Sequence, residues 1–354
     1  MLNLFYLILH SQILMIVVTG GTGLVGSHLL LQLAKKDMRI RALKRNGSSK
    51  HVFNSVFSGS GVSETTIEWV EGDITDIDSL ESHLQNVTQV YHCAAMISFA
   101  PHEAKKMLHT NIEGTANIVN TCLKLNVQKL CYVSSVASLG RNSADSIIDE
   151  QTDWEPSSDN SNYAISKYGA ERELWRGIAE GLNAVIVNPS IIIGAGNWEN
   201  GSSRMLQTVW NGLHFYTKGV SGFVDVRDVA DIMIELMNSK ISGERFLLNA
   251  ENISYHDFFK TVAQLLHKKP PTIYATPFIS KLAWRAEAIR QIVLNHQPLI
   301  TKETARTAHK KYFYSNEKIK RSLGYEFKPL NETLEFVCGE FLKKKKSIIL
   351  SNVI

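Results

Sequence analysis

No two cysteines in this chain are spaced to hold a metal or to begin a disulfide framework. The four, Cys93, Cys122, Cys131 and Cys338, stand singly along 354 residues. That excludes a stapled secreted scaffold and fits a reducing cytoplasm, the expected location. The histidines are equally dispersed. His92 beside Cys93 has no second ligand pair, so no metal site is expected. Charge of one sign is scarce too. A formal net charge of +4 spread over the chain is too weak to point to nucleic acid.

Long apolar runs are missing as well. The first fourteen residues, MLNLFYLILHSQIL, come nearest, but Asn3, His10, Ser11 and Gln12 interrupt them. No basic segment precedes them and no small-residue cleavage site follows. Residues 1–14 are therefore read as an extension or a misassigned start, with Met15 opening the first strand. At the other end, Lys343 to Lys346 precede SIILSNVI. Residues 343–354 are read as a solvated, frayed tail rather than a membrane anchor, and no membrane partner is expected. No internal repeat is present. The absence of G-K-[ST] argues against a P-loop nucleotidase.

What is present is alternation. Ile16 to Thr19 is a short continuous apolar run, as for a strand buried on both faces. Leu24 to Ala34 follows as an apolar helix, and Arg39 to Lys44 as a second strand. Residues 46–66 are rich in Ser, Gly and Asn and predict a loop with a short helix near Val52 to Val56. Further strands are expected at Ile67–Val70, Val90–Ala94, Lys129–Ser134 and Ala184–Asn188. Helices are expected at Ser79–Gln85, Ala104–Leu125 and Ala164–Glu180. Beyond Pro189 the pattern loosens, and short strands near Val224 and Phe246 are expected to rejoin the main fold. The fold class is thus α/β, a doubly wound parallel (Rossmann) sheet with a smaller, mostly helical C-terminal cap that binds substrate. Residues 15–193 and 223–250 form the dinucleotide-binding domain in this reading, and 194–222 and 251–342 form the cap.

The first strand–helix junction reads Thr19-Gly20-Gly21-Thr22-Gly23-Leu24-Val25-Gly26. In that position the glycines make a phosphate loop. Gly20 permits the tight turn, Gly23 lets the backbone approach a pyrophosphate, and Gly26 lets helix and strand pack closely. The helix N-terminus adds N–H groups and a dipole worth roughly 0.3 to 2 kcal/mol to an anion. A nicotinamide dinucleotide is the expected ligand. An NAD enzyme usually carries an acid at the end of the second strand. Here Lys44 and Arg45 stand side by side with no acid in Ile40–Arg45. Two cations suit a 2′-phosphate, so NADP(H) is the preferred cofactor and NAD(H) the alternative.

Tyr163 and Lys167 lie four apart on a predicted helix and share a face. A tyrosine with a pKa of about 10 needs a shift of about 3 units, roughly 4 kcal/mol, to act as a base near neutrality. One positive charge about 4 Å away supplies roughly that at an effective dielectric of 20. Lys167, helped by an oxidised nicotinamide ring, is expected to supply it. Tyr163 then takes a proton from an alcohol or gives one to a carbonyl. A second pair with this spacing, Tyr314 and Lys318, lies in a polar C-terminal stretch and is read as chance. The first pair is favoured because its helix follows a strand ending in Ser134 and Ser135. Ligands in such sheets sit at that end, and a serine there can bond the reacting oxygen.

These motifs, taken in order, resemble the extended short-chain dehydrogenase/reductase family, also called the NAD-dependent epimerase/dehydratase family. The resemblance covers roughly residues 15–340. It rests on TGGTGLVG at 19–26, GDITD at 72–76, HCAA at 92–95 and NIEGTANIV from Asn111. It continues through YVSSVASLG at 132–140, YAISK at 163–167, VNPSIIIGAG at 187–196 and FVDVRDVAD at 223–231. The resemblance implies a dinucleotide site built from Gly20, Thr22, Gly23, Leu24, Val25 and Gly26, with Lys44 and Arg45. It puts Asp73 and Ile74 at the adenine, Ala94 and Ala95 along the dinucleotide, and Pro189 near the carboxamide. It implies a catalytic Ser135, Tyr163 and Lys167, with Lys167 also bonding the nicotinamide ribose. Ser135 is chosen over Ser134 because it precedes Gly140 by five residues, as in the family's pattern. Asn111 braces the sheet. The helices at 104–125 and 164–180 commonly form the family's homodimer interface.

The chain departs from the sugar-nucleotide branch, whose R-x-F-x-[HY]-V pattern becomes Ser221-Gly222-Phe223-Val224-Asp225-Val226 here. The usual VYG is Ser138-Leu139-Gly140. With Lys44 and Arg45, this makes the chain look closer to the dihydroflavonol reductase and hydroxysteroid dehydrogenase branch. Ile97, Phe99 and Trp198 mark a candidate apolar pocket in the cap, although aromatics there are more often simple core. The leading expectation is an NADP-dependent oxidoreductase acting on a small-molecule carbonyl/alcohol pair. The alternatives are an NAD-dependent sugar-nucleotide epimerase or dehydratase, which would retain its NAD, and a non-catalytic dinucleotide sensor, which would not need Tyr163 and Lys167.

Overall fold

The computed structural model describes residues 15–98, 100–141, 147–158, 160–196, 198, 201–294 and 301–351. The N-terminal extension 1–14, Phe99 and the last residues of the tail, 352–354, lie outside the described residues. Seven strands form one sheet: β1 (Met15–Thr19), β2 (Arg39–Lys44), β3 (Ile67–Glu71), β4 (Gln89–His92), β5 (Lys129–Val133), β6 (Ala184–Pro189) and β7 (Glu244–Leu248). Their order is β3-β2-β1-β4-β5-β6-β7, and every pairing is parallel. The direction of winding reverses between β1 and β4, which opens a crevice at the C-terminal ends of those strands.

The strands read as continuous apolar runs because both faces are covered. Val17, Leu130, Tyr132, Ala184 and Ile186 point to one side, while Ile16, Val18, Cys131, Val133, Val185 and Val187 point to the other. Helices α1 (Leu24–Ala34) and α2 (His51–Phe57) cover the second side. On the first side lie α3 (Ile77–His83), α4 (Ala104–Lys124) and α5 (Asn162–Ala179). Then follow α6 (Arg204–Trp210), α7 (Val226–Asn238) and α8 (Tyr255–Leu265), of which α7 joins α1 and α2 on the second side. The chain closes with α9 (Pro277–Leu294), α10 (Lys302–Thr307), α11 (Glu317–Leu323) and α12 (Leu330–Ser351). A separate core gathers Leu206 of α6, Phe258 of α8, and Leu334 and Phe341 of α12 with Trp198. This is the smaller, mostly helical part.

Three points sharpen the reading. The strand Val220–Asp225 returns to the main fold without joining the seven-stranded sheet, whereas the strand holding Phe246 is the last of that sheet. Val220–Asp225 pairs in parallel with Ile191–Ile193 and antiparallel with Glu251–Ser254, while only the Val224 side chain reaches the main core. An apolar run shows that a strand is buried and does not show which strand it pairs with. Secondly, Lys343 to Lys346 lie on α12 rather than in a frayed tail, because the apolar face of that helix is anchored by Leu334, Val337 and Phe341. Thirdly, Trp198 takes the commoner of the two roles open to it, with only 7% of its surface exposed. It is core, with its ring 5.2 Å from that of Phe341. Among the described residues, no helix is long and apolar enough to cross a membrane.

Candidate active site

The glycine loop joins β1 to α1. Gly20 has φ +70°, and a Cβ there would come within 2.6 Å of the Ala94 backbone nitrogen. At Gly26 a Cβ would fall on the Gly20 carbonyl oxygen. The two positions thus need glycine for different reasons: one for its dihedral and the close strand, the other for helix contact. Gly23 is the N-cap of α1 and has no side chain to cap it. The first turn holds no acid. The backbone N–H groups of Leu24, Val25 and Gly26 therefore open onto the crevice end of the helix.

At the end of β2 the two cations behave differently. Lys44 Nζ lies 2.9 Å from a carboxylate oxygen of Glu71, its register partner on β3. The pairing follows from the parallel alignment of the two strand ends and was invisible in the sequence. Arg45 is exposed and lines a cavity of about 570 Å³ with Asn46, Ser48, Gly72 and Asp73. Asp73 accepts hydrogen bonds from the backbone N–H and hydroxyl of Thr75 at 2.9 and 2.8 Å. The Ile74 side chain is buried in the core beside Gly114 of α4, and its carbonyl accepts from Asn117 Nδ2 at 3.1 Å.

Ala94 and Ala95 follow β4, which ends at His92. Beneath them runs a buried polar chain. The Ala94 N–H donates to Thr19 Oγ1 at 3.2 Å, Thr19 Oγ1 lies 2.7 Å from His92 Nδ1, and His92 Nε2 lies 3.0 Å from Thr115 Oγ1. Burial, and then the nearby Lys167 cation, push the His92 pKa down to about 3, so the ring is neutral. Asn111 is 1% exposed and braces this segment. Its Oδ1 accepts from the Met96 N–H at 2.7 Å, and its Nδ2 faces the Met96 carbonyl and Ser166 Oγ, each at 2.9 Å. The brace is therefore between the loop after β4 and α5.

Tyr163 and Lys167 both stand on α5, whose N-cap Ser161 accepts from the Ala164 N–H at 2.8 Å. Ser135 follows β5 and begins a 3-10 turn, with its Oγ accepting from the Ala137 N–H at 3.1 Å. The Ser135 and Tyr163 hydroxyls are hydrogen-bonded. Pro189 ends β6 and is buried nearby in the sheet. The structure thus brings Ser135, Tyr163 and Lys167 to one crevice edge. The Tyr314–Lys318 pair shares no helix: Tyr314 is in a two-residue strand and Lys318 is on α11, bonded to Glu244.

Burial raises the Tyr163 pKa, and the Ser135 bond only partly offsets it. Lys167 stands one turn along the same helix. Its Nζ donates to the Val133 carbonyl at 2.8 Å and lies 3.4 Å from the Tyr132 hydroxyl. Burial lowers the Lys167 pKa to about 8, against the Cys93 and Glu171 side chains, which raise it. Shared helical spacing placed the two side chains on one face. It did not fix where the ammonium ends. Sequence reasoning also missed Glu171 and Asn188, which pack behind Ser135. The YAISK spacing continued by one more turn, to residue 171, was the signal for the first.

The model of the NAD dependent epimerase/dehydratase family matches residues 16–248. A putative dihydroflavonol 4-reductase from Synechocystis sp. is 26% identical, over 90% of this chain and 91% of its own length. Among solved structures, gox2253 is 30% identical with a TM-score of 0.76, covering 93% of this chain and 98% of that one. The dTDP-glucose 4,6-dehydratase of Bacillus anthracis in complex with NAD shares the fold at 18% identity and a TM-score of 0.73, over 94% and 98% of the two chains.

Proposed function

The chain belongs to the NAD dependent epimerase/dehydratase family, and from that premise we propose that it is an NADP-dependent reductase of a small-molecule carbonyl. The single observation that carries the reading is the meeting of Tyr163 and Ser135 hydroxyls at the crevice edge, with Lys167 one turn along the same helix. The glycine cradle fits a dinucleotide, because Gly20 and Gly26 leave no room for any Cβ and α1 offers uncapped N–H groups to a pyrophosphate. Arg45 is the residue assigned to the 2′-phosphate. When bound, the nicotinamide supplies hydride transfer, and this chain's residues manage the proton.

Burial keeps Tyr163 protonated, which suits donation to a carbonyl oxygen. Ser135 bonds that oxygen and the phenol together, and Lys167 supplies positive charge as the tyrosine gives up its proton. This ordering favours reduction over oxidation at neutral pH. The sugar-nucleotide reading gains no support from positions 221 and 225. Ser221 is hydrogen-bonded to Tyr255, and Asp225 caps α7 while pairing with Arg227 and Thr333.

The test is oxidation of NADPH and NADH across aldehydes, ketones, flavonoids, steroids and sugar nucleotides. Tyr163→Phe is expected to abolish turnover and keep NADPH affinity within about threefold, since the phenol acts on the substrate and not on the phosphates. Retained turnover would refute the role of Tyr163. Purified protein that holds NAD tightly and turns over only sugar nucleotides would replace this reading with an epimerase or dehydratase.

A further inference from the structure

One acid lies outside every motif that led to the site. Glu171 is on α5, one turn beyond Lys167, and only 1% exposed. Its Oε2 accepts from Ser134 Oγ at 2.7 Å and from Asn188 Nδ2 at 2.8 Å, and lies 2.7 Å from Ser138 Oγ. Its Oε1 pairs with Arg245 of β7 at 3.1 Å and faces the Trp175 indole N–H at 3.4 Å. Every neighbour is a donor, which suits a carboxylate.

These donors are the frame of the turn that presents Ser135. The Ser138 hydroxyl has one proton and two acceptors at 2.7 Å, the Ser135 carbonyl and Glu171. Asn188 Nδ2 faces Glu171, Ser138 Oγ at 2.9 Å and the Ser135 carbonyl at 3.2 Å. The opposite atom, Asn188 Oδ1, is buried and has no hydrogen-bond partner among the described residues. Turning the amide over would set Oδ1 against the carboxylate, so Glu171 dictates the orientation and leaves the acceptor unmet. A group that served only to fill space would gain by avoiding that cost.

We propose that Glu171 is a positioning residue for proton transfer: it clamps the Ser134–Ser138 turn that offers Ser135 to Tyr163, and its charge keeps Lys167 a cation. The proposal rests on the reading of Ser135, Tyr163 and Lys167 given above. The groups facing Lys167 are His92 of β4, Cys93 just beyond it, Tyr132 of β5, and Tyr163 and Glu171 of α5. Burial pulls the lysine toward neutrality, and the Cys93 side chain and then the Glu171 carboxylate oppose it.

The test uses the full chain labelled with ¹³Cε-lysine, with the Lys167 resonance assigned by its loss in Lys167→Arg. The wild-type titration midpoint is expected near 8. Glu171→Gln is expected to lower it by about two pH units, as for one charge removed about 6 Å away, across a helical turn, at an effective dielectric of 20. With a carbonyl substrate found in the screen, kcat is expected to fall about 10- to 100-fold. The alkaline limb should move down with the midpoint, NADPH affinity should hold, and Glu171→Asp should restore the limb. A folded Glu171→Gln with an unmoved Lys167 midpoint, or with wild-type kcat, overturns the proposal. If that variant does not fold because Arg245 is left unpaired, Ser134→Ala and Ser138→Ala decide. A lowered kcat with an unchanged midpoint supports the clamp, and wild-type kcat in both overturns it. Absence of any carbonyl turnover would count against the oxidoreductase reading, whereas the midpoint measurement judges Glu171 without substrate.

Discussion

Replacing Arg45 with alanine tests how the phosphate of NADP(H) is recognised. Both cations at the end of β2 suit that role in the sequence, but Lys44 is held 2.9 Å from Glu71. The cavity beside Arg45 also contains Asp73 and Asp76. Each of its acids is already engaged: Glu71 by Lys44, Asp73 by Thr75, and Asp76 by the Ser79 N–H that it caps. Arg45 is thus the group left to meet a 2′-phosphate. A charge-assisted hydrogen bond contributes about 1.5–3 kcal/mol when shielded, and screening at an exposed site reduces this to about 1–2 kcal/mol. That corresponds to a loss of about 5- to 30-fold in NADPH affinity. NADH affinity should change by less than about twofold, because it lacks the phosphate, and the difference should shrink at high salt. Glu71→Gln works in reverse, freeing Lys44 and tightening NADPH about two- to fivefold. Fluorescence titration of the two reduced cofactors measures all of this. Equal losses for NADPH and NADH in Arg45→Ala, or equal wild-type affinities, would refute the reasoning.

Gly26→Ala forces a methyl group into the Gly20 carbonyl, so α1 must move off the loop; a loss of at least about 10-fold in cofactor affinity, together with a lower Tm, is expected on titration and thermal melting. Asn111→Ala strands the half-buried Met96 N–H and carbonyl, and urea denaturation should register a loss of about 1–3 kcal/mol. For pH, Lys167 must be protonated to act, so kcat/KM should fall on the alkaline side with a midpoint near 8, and a flat profile to pH 9.5 would refute its role. Its effect on stability has the opposite sign. The folded value of about 8 lies below the ordinary 10.5, so the unfolded chain binds more protons between them, and this group's contribution to stability rises as pH rises across that window.

The sheet was legible because its strands are buried on both faces. Ile16 to Thr19 and Ala184 to Asn188 could be read as strands without knowing any partner, since helices on both sides leave no polar alternation. The glycine loop was legible for a related reason: the clashes at Gly20 and Gly26 are with residues close in the fold's simplest unit, one strand and its following helix. Where Val220–Asp225 would pair was not legible. Its partners, Ile191–Ile193 and Glu251–Ser254, lie about thirty residues away on either side, and no local signal distinguishes them from the main sheet. The Lys44–Glu71 pair was hidden likewise, since cross-strand register is a property of two segments together.

In the candidate site the residue types were legible and their electrical states were not. Tyr163 and Lys167 are four apart, and that spacing suggests a lysine lowering a tyrosine. Burial acts on both groups and moves them toward neutrality, raising the tyrosine and lowering the lysine. A site left to burial alone would therefore hold a protonated phenol beside an uncharged amine, able to give a proton but with little to stabilise the phenolate that results. The groups that oppose burial at the lysine are Cys93 just beyond β4 and then Glu171 a turn later on α5, whose own charge is matched by Arg245 on β7. Glu171 and Arg245 lie 74 residues apart in the chain, so a motif read along the sequence reaches the tyrosine and the lysine but not the ion pair behind them. Tyr163 and Lys167 are local to one helix, whereas the Glu171–Arg245 pair behind them is built by the sheet.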